Sequence, residues 1–197
     1  MRQLYLASGN AHKLEELQAM ATAAKADFAL HSANAVGGMP DVVEDAETFI
    51  GNARKKAVAL AELLPPGDWA LADDSGLCVD ALDGAPGIYS ARFAGEGASD
   101  AENNTKLLSL LEGKTADERR AKFVCVLVVR NAEGEEFVFE GASKGRLSEV
   151  LSGVGGFGYD PMFCPDGFEQ SFAELGAKVK ARLSHRAVAF QRLLGAF

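Results

Sequence analysis

Two adjacent carboxylates, Asp73 and Asp74, stand between the apolar runs Trp69-Ala70-Leu71-Ala72 and Leu77-Cys78-Val79, with Ser75-Gly76 directly after them. Apolar flanks of this kind read as strand, and successive strand residues project to opposite faces. The pair therefore cannot chelate one ion by itself. At least one carboxylate is directed toward the interior, where its charge needs a cation, a metal or hydrogen-bond donors. Ser75 and Gly76 allow a tight turn and a close ligand approach. The pattern fits either an Asx-turn ending a strand or a site for acid–base or metal chemistry, and other segments weigh between the two.

Ser8-Gly9-Asn10 leads from a short apolar run into a helical pattern with Lys13 in its first turn. A helix N-terminus after a glycine turn offers free N–H donors to an anion. A lysine there opposes the helix dipole, so it is either solvated or shares an anion with those amides. Glu44 lies in the acidic run Asp41–Glu47 before a second helix. It is either a solvated, dipole-favourable helix start or a carboxylate partner of Asp74 around Mg²⁺, which prefers oxygen ligands and keeps several waters. Lys56 follows Asn52 by one helical turn, so both can face one groove. Gly153-Val154-Gly155-Gly156-Phe157-Gly158 satisfies G-x-G-x-x-G, but Tyr159-Asp160-Pro161 follows it. Proline biases Asp160 away from helix, which removes the helix that a dinucleotide fingerprint needs. What remains is a connector, or a backbone-rich loop carrying Phe157 for stacking. Ser184-His185-Arg186 opens the last helix, as a cap with polar neighbours or as donors to a ligand that Lys180 could join.

The elements that would hold these residues alternate. Strands are expected at Leu4–Ala7, Phe28–Leu30 and on both sides of Asp73–Gly76. Phe123–Val129 and Glu136–Phe139 read as an antiparallel hairpin. Helices are expected from Asn10, over about Ala46–Leu64, from Ser99 or Asp100 to Gly113, and at the C-terminus. The order predicts an α/β fold on a mixed sheet. At 197 residues, the chain reads as one domain spanning 1–197, with two lobes sharing the sheet.

The formal charge of −8 argues against binding polymeric nucleic acid or anionic membrane. No apolar run approaches the ~18 residues of a membrane span and no leader is visible, so the expected compartment is the cytoplasm. Cys78, Cys125 and Cys164 lack C-x-x-C spacing and read as reduced core residues, and three scattered histidines suggest no zinc site.

Together these segments resemble the non-canonical purine nucleoside triphosphate pyrophosphatases, also called inosine triphosphate pyrophosphatases. The matching pieces, in order, are Ser8–Lys13, Glu44 with Thr48-Phe49, Asn52-Ala53 with Lys56-Ala57, Ala72–Leu77, Gly84–Arg92, Phe157–Pro161 and Ser184–Arg186. The resemblance implies an elongated two-lobed fold with a groove between lobes, and a homodimer. It also implies Mg²⁺-dependent hydrolysis of ITP, dITP and XTP to the monophosphate and pyrophosphate. By position, Ser8, Gly9, Asn10, Ala11, His12 and Lys13 would hold the triphosphate with Lys56. Asp74 would be the general base, Lys13 would share the catalytic work, and Asp74 with Glu44 would hold the metal. Ser75, Phe157, Gly158, Tyr159, Asp160, Lys180, His185 and Arg186 would contact the nucleotide. Gly51, where many members have Glu, and Ala187, where Gly is usual, depart from the pattern and bear on metal affinity and base selectivity.

A nucleotide sensor without turnover would need the same loops but neither Asp74 nor Glu44. A phosphomonoesterase of the aspartyl-phosphate type would need Asp-x-Asp, which Asp73-Asp74-Ser75 does not supply. A pyrophosphatase acting on other modified nucleotides differs only in substrate profile.

Overall fold

The computed structural model describes residues 1–197. The chain begins with β1 (Arg2–Leu6) and helix α1 (Ala11–Ala24). The Asn10 side chain caps α1 by accepting the Lys13 N–H at 3.2 Å, as expected of a residue with a short polar acceptor. Next come β2 (Phe28–Ser32) and α2 (Phe49–Ala61). Helix α2 is shorter at both ends than the Ala46–Leu64 that the periodicity suggests: Thr48 is its N-cap, accepting the Gly51 N–H, and Ala61 is its last residue. Helix α3 (Asp100–Leu110) starts at a capping box in which Ser99 and Glu102 each satisfy the other's backbone N–H.

Strand β3 (Trp69–Val79) corrects one expectation, because it passes through Asp73–Gly76 without turning. Burying an ionised carboxylate costs several kcal/mol, more than the ~1.5–3 kcal/mol that burying one leucine contributes. The strand stays extended because each aspartate meets a lysine from another element, so its charge does not have to be turned out to water. Strands β4 (Arg120–Asn131) and β5 (Glu136–Leu147) form the expected hairpin, and β5 runs well past Phe139. Strand β6 (Phe163–Pro165), α4 (Phe172–Leu183) and α5 (His185–Ala196) complete the chain.

The six strands lie in the order β2-β1-β3-β4-β5-β6. Strand β1 is parallel to β2 and β3, whereas β5 and β6 are antiparallel, so the sheet is mixed and the fold is α/β. No helix is long and apolar enough to cross a membrane.

The chain divides into two compact units: Met1–Asp74 with Cys125–Gly141 and Ala189–Phe197, and Ser75–Val124 with Ala142–Val188. Each has its own core. In the first, Ala53, Ala57 and Leu60 of α2 pack on Ala70, Ala72, Val126 and Val128. In the second, Leu107 and Leu111 pack with Leu77, Phe123, Met162, Phe163 and Phe172. All three cysteines are free, with Cys125 and Cys164 buried.

Candidate active site

In the first unit, helix α2 presents Lys56 to two carboxylates at once. Its Nζ lies 2.9 Å from Glu44 and 2.8 Å from Asp74 Oδ1. Asn52, one turn earlier and buried, fixes the approach of Glu44. Its amide accepts the Ala46 N–H at 3.0 Å and donates to the Ala46 carbonyl at 3.3 Å. A β-carbon at Gly51 would come within 2.7 Å of Ala46 Cβ, so the glycine keeps this stretch close to the helix. On the neighbouring strand position, Asp73 is fully buried and pairs with Lys13 Nζ at 2.6 Å. Lys13 also donates to the Asp73 carbonyl, and Cys125 Sγ donates to Asp73 Oδ2. The two aspartates thus engage different lysines, as alternation along a strand requires.

The two carboxylates on Lys56 differ. Burial pushes the Asp74 carboxyl up to about 6, and the attraction of Lys56 and Lys13 offsets this only in part. Burial also raises Glu44, but the charge and hydrogen bond of Lys56 outweigh it and leave Glu44 below the usual range. Protonated, Asp74 can donate to Glu44. Ionised, its buried Oδ2 has no hydrogen-bond partner. A buried acceptor beside a second carboxylate suits a hard cation that takes the place of that proton. No group of three or more His, Cys, Asp and Glu side chains forms a complete cage. Glu44 and Asp74 are the residues that could hold such a cation, and their oxygens are of the kind Mg²⁺ prefers.

In the second unit, Asp160 is the hub. It is buried, accepts Lys180 Nζ at 2.6 Å and accepts the Phe157 N–H at 2.8 Å. Gly156, at φ +74, has no room for a β-carbon because the Asp160 carboxylate occupies that space. Lys180 Nζ sits 4.4 Å from the Phe157 ring centroid and the Arg186 guanidinium 5.8 Å from it. Arg186, 1% exposed, donates to Ser75 Oγ at 3.2 Å. His185 stacks on Phe123 with centroids 4.7 Å apart. Ser184 starts α5, its Oγ accepting the Ala187 N–H. The result is an aromatic ring flanked by two buried cations.

The Ham1 family pattern matches residues 4–196. The chain belongs to the Ham1 family. It is 54% identical over 195 residues to the dITP/XTP pyrophosphatase of Opitutus terrae, covering 97% of this chain and 96% of that protein. It is 46% identical over 192 residues to the dITP/XTP pyrophosphatase of Desulforamulus reducens, covering 98% and 94%. Among solved structures, the Staphylococcus aureus Ham1 protein superposes with a TM-score of 0.85 at 37% identity, covering 98% of this chain and 97% of that one. The Coxiella burnetii HAM1 protein gives 0.87 at 36%, covering 99% and 98%.

This Ham1 chain brings the expected residues together in two sets: Lys13, Glu44, Lys56 and Asp74, and Ser75, Phe157, Asp160, Lys180 and Arg186, while His185 stacks on Phe123. At the start of α1, Ser8 Oγ accepts the Asn10 N–H, while Gly9, Ala11 and His12 are exposed. His12 lies 3.9 Å from Glu15 on the helix surface. Gly158 stands beside Phe157 at φ +61. Tyr159 differs from expectation: it is a core residue whose hydroxyl donates to the Ser90 carbonyl. Reading the residues one by one missed Asn52 as the clasp on the Glu44 segment and Asp73 as the seat of Lys13. A buried-type polar residue one turn from Lys56 was the available signal for Asn52.

Proposed function

We propose that this protein hydrolyses non-canonical purine nucleoside triphosphates, dITP, ITP and XTP, to the monophosphate and pyrophosphate with Mg²⁺. The observation that carries the reading is the placement of Asp74, buried and sharing Lys56 Nζ with Glu44. A base works best with a pKa near the operating pH, and the burial that raises the Asp74 carboxyl toward that range supports general-base duty. On a chain of net charge −8, a triphosphate must be neutralised locally. Lys13 and Lys56 are each already paired with carboxylates, so the positive potential would come chiefly from Mg²⁺ and the positive end of the α1 dipole. Mg²⁺ held by Glu44 and Asp74 would add Lewis-acid stabilisation of the phosphate oxygens. Asp74 orients water and takes its proton, and Lys56 keeps the two carboxylates in place as charge moves onto the leaving group. The reading extends to a homodimer working in the cytoplasm, which light scattering and cell fractionation would test.

Base choice falls to the second residue set. Inosine and xanthine present O6 as an acceptor, where adenine presents an amino donor. Arg186 carries donors beside the Phe157 ring, rewards O6 and leaves adenine facing an unmatched donor. Arg186→Ala is therefore expected to narrow the ITP-over-ATP ratio of kcat/KM by about tenfold or more. A uniform fall with the ratio intact would assign Arg186 to holding structure instead. The reaction itself is tested by product analysis with ITP, XTP, dITP, GTP, ATP and dTTP. Monophosphate plus pyrophosphate, formed fastest from ITP and XTP, is the expected result, and release of single phosphates would overturn it.

A further inference from the structure

Every polar backbone atom of the Phe157–Gly158 dipeptide is held. Asp160 accepts the Phe157 N–H at 2.8 Å, and the Asp160 N–H donates to the Phe157 carbonyl at 3.2 Å. The other two bonds come from α3, an element that carries none of the residues assigned so far. Asp100 Oδ2 accepts the Gly158 N–H at 2.6 Å, and Asn104 Nδ2 donates to the Gly158 carbonyl at 2.9 Å. Positions 100 and 104 are one turn apart on one helix face, so the helix grips a single residue from both sides. The Asn104 side chain is a costly choice for mere packing. It is 3% exposed and its Oδ1 has no hydrogen-bond partner, a burial penalty that a leucine there would avoid. What the amide secures is Gly158.

We infer that Asp100 and Asn104 are positioning residues which, through Gly158, hold the Phe157 ring at the height and tilt needed to stack on a purine base. The inference rests on the proposed function, with Phe157, the ring the sequence offers for stacking, taken as the platform for the base. Lys180 and Arg186 fix the ring from the cationic side, Tyr159 next to Gly158 is itself anchored in the core, and the α3 clamp removes the remaining backbone freedom. A platform fixed before the ligand arrives avoids ordering costs on binding. The clamp therefore acts on affinity for the nucleoside end of a ligand and not on the phosphate end.

The experiment is calorimetric titration of the full-length protein and its Asp100→Ala, Asp100→Asn and Asn104→Leu variants with IMP and, separately, with pyrophosphate and Mg²⁺. Asp100 is exposed and the Ser99–Glu102 capping box remains, so the helix start survives Asp100→Ala. Asp100→Ala and Asn104→Leu are each expected to weaken IMP binding about tenfold, the equivalent of one positioned hydrogen bond, with pyrophosphate affinity unchanged. Asp100→Asn keeps an acceptor for the Gly158 N–H and is expected to recover most of the IMP affinity. Unchanged IMP affinity in Asp100→Ala and Asn104→Leu, or equal weakening of both ligands, overturns the inference. Wild-type protein that releases pyrophosphate from ITP yet does not bind IMP also overturns it while leaving the proposed reaction standing. Absence of that turnover counts against the reaction alone.

Discussion

Asp74→Asn is expected to lower kcat by at least ~10²-fold, the lower end of general-base contributions, without destabilising the fold. The amide keeps the shape. Its oxygen can still accept from Lys56, and its NH₂ can donate to Glu44 where the protonated acid does. What disappears is a charge that the site disfavours. A carboxyl raised from 3.8 to about 6 binds its proton more tightly in the folded than in the unfolded chain. Stability from that proton is complete below about 4 and is lost as pH rises through about 6. The rise corresponds to about 3 kcal/mol at neutral pH, and it already nets the attraction of Lys56 and Lys13 against burial. In EDTA, the Tm of Asp74→Asn should therefore match wild type near pH 4 and exceed it above pH 6.5. Loss of turnover together with a Tm gain marks a residue kept for chemistry at the expense of stability. A Tm well below wild type at pH 7, or near-wild-type turnover, would sink the assignment.

What was legible in the chain was mostly local. Asn10, Ser99 and Ser184 announce helix starts because a cap needs only its own side chain and the next three residues. Strands β1, β2 and β4 were visible as apolar runs. The continuity of β3 through Asp73–Gly76 was not, since it depends on Lys13, distant in sequence, and on Lys56. Helix α4 was hidden by Gly176, which sits inside it at φ +76 and interrupts the helical backbone. The far half of β5 contains Gly141 and Gly145, residues that weaken a strand pattern. At Gly145 the glycine is needed because the Cys164 carbonyl of β6 comes too close for a side chain. The site residues were recognisable as an ordered set of motifs, whereas their pairings were not. Lys13 with Asp73, Lys56 with Glu44 and Asp74, and Lys180 with Asp160 join different elements, and no local spacing encodes them.

Lys180→Met is expected to cost about 3–5 kcal/mol of stability, the usual penalty for breaking a buried ion pair by removing one partner. Lys180 and Asp160 are both almost fully buried and lie 2.6 Å apart, so water does not screen the loss. Methionine keeps most of the stem volume, which separates the charge effect from a cavity. Asp160 also accepts the Phe157 N–H, so a carboxylate left without this cation disturbs the Phe157 loop and raises KM for ITP along with the stability loss. The double variant Lys180→Met/Asp160→Asn decides whether charge is the cause. Removing both charges should recover more than half of the stability lost in the single variant, a coupling that a double-mutant cycle in urea measures. If Lys180→Met alone unfolds within about 1 kcal/mol of wild type, the ion pair is screened or replaceable, and Asp160 must be held chiefly by its backbone hydrogen bonds. If the double variant is no better than the single one, the lysine acts through its contact with the Phe157 ring instead.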